Sequence, residues 1–222
     1  MKKRNLLWIL AVALLCCGAM ALVDGVLRPG YAVKSSIKIL LFLGAPLLLS
    51  LCFREFSCLS LLRFPRKGFL TALGLGAAVY GIILGGYFLV RPFFDFAPIA
   101  DKLTQNAGVT KENFLYVSLY ISFVNSLLEE FFFRGFLFAN LHRFSTQSFA
   151  YSFSAIAFAA YHVAMMLGWF SPALFLLVMA GLTAGGLIFN YLNQKLGTVY
   201  ISWLVHMCAN FAINTIGFIL LQ

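Results

Sequence analysis

Charge is what this sequence has least of. Its 222 residues include 16 Lys and Arg, 7 Asp and Glu and 3 His, so charged side chains make up 10% against 62% hydrophobic ones, with a mean hydropathy of +0.94. A soluble domain carries about 25% charged and about 45–50% apolar residues. Too few polar groups are present to cover a surface in water, and the soluble classes are excluded. Strict apolar–polar alternation, the mark of a membrane β-barrel strand, is also missing. The apolar runs are continuous instead. A chain in hydrocarbon must satisfy its backbone hydrogen bonds internally, which makes these runs helices. The expected fold is all-α, a polytopic transmembrane helix bundle. No internal repeat or low-complexity stretch is evident, and at about 20 residues per span the length leaves no room for a separate soluble domain, so residues 1–222 read as one integral membrane domain. The cysteines (Cys16, Cys17, Cys52, Cys58 and Cys208) are odd in number and never spaced C-x-x-C. Neither a disulfide framework nor a thiolate metal site is indicated, and they read as packing residues.

What the chain does have is a succession of apolar runs: Leu6–Val23, Ile37–Phe53, Phe69–Val90, Asn113–Phe133, Phe149–Leu167, Pro172–Leu192 and Gly197–Leu221. They predict about seven helices, with six to eight possible. Ala19-Met-Ala21 resembles a signal-peptidase site, but the run around it is long enough to span, and a retained first helix is expected. The net charge of +9 reports topology and anionic headgroups in such a chain, not nucleic acid. With the N-terminus cytoplasmic, the outside carries Arg28, Lys34, Lys38, Arg91, Lys102 and Lys111, and the larger remainder, Arg66 included, falls inside. That excess favours the N-terminus inside and the C-terminus outside. Asp24, Asp95, Asp101 and Glu112 also fall outside. Arg54–Lys67 mixes basic and apolar residues and reads as an interfacial amphipathic segment. Gly81-Ile-Ile-Leu-Gly85 and Gly181-Leu-Thr-Ala-Gly185 have the spacing that lets helix backbones approach in ordinary bundle packing.

An ionisable residue in hydrocarbon costs several kcal/mol unless paired or hydrated, so each one is a functional candidate. Three places stand out. In Leu127-Leu-Glu129-Glu130-Phe-Phe-Phe-Arg134, Glu130 and Arg134 are four apart and can pair on one helix face. Glu129 points about 100° away, onto the face of Asn125, and reads as free to titrate. His162 stands alone in Phe158-Ala-Ala-Tyr161-His162. Ser202, His206, Asn210 and Asn214 recur at steps of four in the last run, with Ser202 and Asn214 read as interhelical glue. His142 sits beside a loop and implies no chemistry. At about 1.5 Å per residue, Glu129 and His162 lie roughly 20 Å from the 140–148 loop. Carboxylates, two imidazoles and a carboxamide can converge in a cavity open to the cytoplasm.

A carboxylate in apolar surroundings is suited to take and return a proton near neutral pH. Imidazole can hold the attacking water, and His206 with the Asn210 amide can donate to a tetrahedral oxyanion. No serine or cysteine is evidently paired with a base.

Glu129-Glu130-x-x-x-Arg134, Phe158-x-x-x-His162 and His206-x-x-x-Asn210 resemble, in order and spacing, the three motifs of the CPBP family (CaaX protease and bacteriocin-processing, also called ABI) of intramembrane proteases. The similarity covers about residues 120–215, a catalytic core within the membrane domain. It implies an intramembrane endopeptidase with Glu129 as general base on water and His162 as its partner. Glu130 and Arg134 would support them, and His206 and Asn210 would stabilise the oxyanion. The family is often labelled metalloprotease, and zinc through Glu129, His162 and His206 is the alternative to a metal-free site. A metal-free glutamate mechanism is favoured: no H-E-x-x-H pair exists, Asn is a poor zinc ligand and Glu130 is taken by Arg134. The implied partner is a membrane-associated polypeptide, a precursor or a prenylated protein, cleaved near the cytoplasmic face. The short loops look bacterial and suggest the cytoplasmic membrane. A proton-coupled transporter would also hold Glu and His at mid-depth but usually shows broken helices and a repeat. A non-catalytic immunity or binding protein would not need the complete set.

Overall fold

The computed structural model describes residues 2–56, 58–59, 61–65, 67–96, 98–99, 102 and 109–221. Arg66 and Asp101, counted above for topology, lie outside the described residues. Seven helices and no strand are present among the described residues. These are α1 (Lys2–Leu27), α2 (Tyr31–Cys52), α3 (Phe69–Val90), α4 (114–144), α5 (Gln147–Met166), α6 (Pro172–Leu196) and α7 (Val199–Leu220). All except α4 are long and apolar enough to cross a membrane. The chain is an integral membrane protein, with one of these helices for each apolar run.

The exception sits at the centre. Residues 128–138 of α4 are buried without interruption, Glu129, Glu130 and Arg134 among them. Phe132, Phe133, Phe136 and Leu137 pack with Phe42 of α2, Phe158 and Tyr161 of α5 and Ile9 and Met20 of α1 into the main core. A helix buried on every side needs apolar residues on every side, which the two Phe-rich triplets 131–133 and 136–138 supply. A second, smaller core joins Ala72 of α3, Phe189 and Leu192 of α6 and Ile201 and Val205 of α7.

Helix ends follow local chemistry. Thr146, Ser171 and Thr198 accept backbone N–H bonds at the starts of α5, α6 and α7, and Pro172 opens α6 where no donor is needed. Gly197, at φ +67°, turns the chain between α6 and α7. The 167–171 turn thus joins two full helices. α2 begins at Tyr31, earlier than its apolar run, with Gly30 at its N-cap, so its first turn carries Lys34. In α4 the helix widens to π-geometry at Ile121–Asn125 and Phe131–Phe138, on either side of Ser126–Glu130. Such widenings inside α-helices are frequent at functional sites.

One expectation is corrected here. A Cβ added at Gly81, Gly85, Gly181 or Gly185 would meet nothing within 4 Å, so the G-x-x-x-G pairs mediate no close approach. The close crossings lie at other glycines. A Cβ on Gly76 would sit 2.6 Å from Cys208 Sγ, where α3 crosses α7, and one on Gly186 would sit 2.9 Å from Ala155 Cα, where α6 crosses α5. The stretch after α2 forms no helix among its described residues. Phe56 and Cys58 are buried, Phe64 is exposed, and the Leu61 carbonyl accepts from Val199 N–H at 2.9 Å, anchoring the stretch to the start of α7.

Candidate active site

Four helices deliver the polar groups to one place: α2 with Lys38, α4 with Asn125, Glu129, Glu130 and Arg134, α5 with His162, and α7 with Ser202 and His206. Glu129 is buried and its two oxygens face different groups. Oε1 accepts from Lys38 Nζ at 2.5 Å and from Asn125 Nδ2 at 3.0 Å. Oε2 lies 3.6 Å from His206 Nε2 and 4.0 Å from His162 Nε2, beyond hydrogen-bond length. Asn125 shares the face of Glu129, as the helical spacing predicts. Glu129 as a carboxylate without a cationic partner is corrected: Lys38, counted with the outside charges, is buried against it. The same ammonium donates to Asn125 Oδ1 at 2.5 Å and lies 4.8 Å from the Tyr161 ring centroid. The signal for it was present, a cation at the edge of an apolar run, but its neighbour Lys34 made it look like one of a pair of boundary charges.

Glu130 and Arg134 pair at 3.2 Å, and both are fully buried. Arg134 is no solvated helix end. Its guanidinium stacks 4.3 Å from the Phe158 centroid and 4.9 Å from that of Phe189, so aromatic faces take the place of water around it. Glu130 receives two further donors, Ser202 Oγ at 2.5 Å to Oε2 and His206 Nδ1 at 3.0 Å to Oε1. Ser202 in turn accepts from Asn193 Nδ2 at 2.6 Å. Read from sequence as glue, Ser202 does join helices, but through the second carboxylate.

The two imidazoles are oriented alike. His162 Nδ1 donates to the Phe158 carbonyl at 2.7 Å, and His206 Nδ1 donates to Glu130. A carbonyl and a carboxylate only accept, so both Nδ1 atoms carry hydrogen and, in neutral rings, both Nε2 atoms present lone pairs toward Glu129 Oε2. Three acceptors around one point call for a donor between them, and a water molecule supplies two hydrogens. Asn210 is placed differently. Its Nδ2 donates to the Ile121 carbonyl at 3.2 Å, in the widened turn of α4, which leaves one N–H of the amide for another acceptor. Asn214 ties α7 to Ser118 and Ser122 of α4, as glue. His142 is exposed and bonded to Gln194 at 3.0 Å, outside the site.

Two Nε2 atoms and a carboxylate oxygen are donors that zinc accepts. Lys38 weighs against that use. A dication at Oε2 would share one carboxylate with a buried ammonium, and like charges in a low-dielectric setting repel strongly. Among the described residues no group of three His, Cys, Asp or Glu is arranged to hold a metal ion.

Residues 111–212 match the family described as Type II CAAX prenyl endopeptidase Rce1-like. No curated protein and no solved structure gives a match to the chain.

Proposed function

We propose, from the match of residues 111–212 to the Rce1-like family of type II CAAX prenyl endopeptidases, that the chain hydrolyses a peptide bond inside the membrane by glutamate-activated water, without a metal. The observation that carries this reading is the divided Glu129 carboxylate: one oxygen engaged by Lys38 and Asn125, the other facing two imidazole Nε2 atoms across a gap of 3.6 and 4.0 Å.

A water in that gap donates one hydrogen to Glu129 Oε2 and the other to His162 Nε2, which turns its lone pair outward. Glu129 takes the first proton as the water oxygen attacks the carbonyl carbon of the scissile bond. The carbonyl oxygen becomes an oxyanion. The Asn210 amide can donate its remaining N–H to that oxyanion, and His206 can donate Nε2–H to it after taking the water's proton over from Glu129 Oε2, 3.6 Å away, with Glu130 as counter-ion, and returning it before collapse. Collapse breaks the C–N bond, and the proton on Glu129 passes to the departing amine. Arg134, Ser202 and Asn193 hold the Glu130 end of the relay in place. The substrate in this reading is a membrane-associated polypeptide, and the family's description makes a prenylated C-terminal peptide the first probe to use.

The test is cleavage of an internally quenched, farnesylated peptide ending in a CAAX sequence by the purified full chain in proteoliposomes. Cleavage is expected, with loss of activity in Glu129→Gln and His162→Ala. Full turnover in Glu129→Gln would refute the assignment of the base, and an inert wild-type chain would refute the reading.

A further inference from the structure

Lys38 reaches the site from α2, outside the region that matches the family. It is 4% exposed, and its ammonium makes two 2.5 Å bonds, to Asn125 Oδ1 and Glu129 Oε1. The rings of Tyr161 and Phe42, at 4.8 and 5.4 Å, face the rest of it. A buried lysine is expensive unless paired, and a pair of this kind is weak evidence for stability, since apolar replacements of both partners are often tolerated. Its presence calls for another explanation.

We propose that Lys38 is a positioning residue of the active site, holding Glu129 by Oε1 so that only Oε2 meets the water, and supplying the positive charge that balances the oxyanion. This inference rests on the protease reading above. The charge balance carries it. Lys38 and Arg134 face Glu129 and Glu130, two cations against two anions. When Glu129 takes the proton of the water, the charge of the protein groups rises by one, at the moment the substrate carbonyl acquires one negative charge. The ammonium is fixed before the reaction begins, so no reorganisation is needed in the transition state. Arg134 cannot substitute, because Glu130 occupies it.

The experiment uses the full chain in proteoliposomes, the farnesylated CAAX peptide as probe, and the variants Lys38→Met, Lys38→Arg and Lys38→Met combined with Glu129→Gln. Methionine keeps the length and apolar stem but not the charge. Lys38→Met should lose roughly 10²–10³ in kcat, the scale of one electrostatic stabiliser, with KM changed less than about threefold. Lys38→Arg should recover at least about tenfold of that loss. Thermal unfolding supplies a readout independent of cleavage: Lys38→Met should lower Tm, and adding Glu129→Gln should restore much of it. Wild-type cleavage with unchanged kcat in Lys38→Met would overturn this inference and leave the protease reading intact. A loss of kcat that Lys38→Arg does not relieve, with Tm falls that simply add in the double variant, would also overturn it. A wild-type chain that never cleaves the probe would remove the reading and this inference together.

Discussion

At the scale of residues, each buried cation serves its own carboxylate, Lys38 with Glu129 and Arg134 with Glu130. Glu130 is the structural partner of Arg134, with Ser202 and His206 completing its bonds. Glu130→Gln would leave a fully buried guanidinium uncompensated, and unfolding in detergent should show a loss of roughly 3–5 kcal/mol. A change under about 1 kcal/mol would contradict the pairing. Ser202→Ala removes a hydrogen bond to a charged group and should cost about 1.5–3 kcal/mol, with activity lowered through His206. The Glu130–Arg134 pair was legible because a four-residue spacing on one helix is a local fact. The Lys38–Glu129 pair was not. It joins helices far apart in sequence, and a lysine beside a second lysine at the edge of an apolar run is indistinguishable by pattern from a boundary charge.

At the scale of elements, seven helices were legible because length and hydropathy set them, whereas their contacts were not. The G-x-x-x-G spacings point at Gly81, Gly85, Gly181 and Gly185, all with open space around them, while Gly76 and Gly186 make the close crossings. Spacing identifies a face that permits approach, but only the neighbouring helix decides whether approach occurs. Gly186→Ala would press a methyl group onto the backbone of Ala155 and should destabilise by about 1–3 kcal/mol. Gly81→Ala should instead be neutral or stabilise by up to about 1 kcal/mol, through helix propensity. Paired thermal melts of the two variants check both directions. Equal effects would mean that α6 does not cross α5 as closely as the structure has it. The widening of α4 on either side of Ser126–Glu130 has no sequence signature of the kind a proline or glycine gives a kink.

At the scale of the whole molecule, the polar set is a small enclave inside an apolar bundle. The His162 side chain, at 13% exposed, is the most open of its four innermost members, with Lys38, Glu129 and His206 below it. His162 lies one turn before the end of α5 at Met166, on the side of the 167–171 turn and far from the 145–146 turn. A cavity open toward the 140–148 loop, the expectation from sequence depth, therefore leaves His162 at its far end. The distribution of basic residues predicts a cytoplasmic N-terminus. Reporters fused in turn to each end should then read opposite compartments for seven spans, and a shared compartment would mean that α4 does not cross.

Whether Glu129 activates water without a metal is decided by the metal dependence of cleavage. Purified full chain should be stripped with a chelator, assayed on the farnesylated CAAX peptide with and without added zinc, and analysed for bound metal alongside Glu129→Gln. The account predicts unchanged turnover in the stripped wild type, no gain from zinc and silence in Glu129→Gln. Activity that disappears on stripping and returns with one equivalent of bound zinc would contradict it.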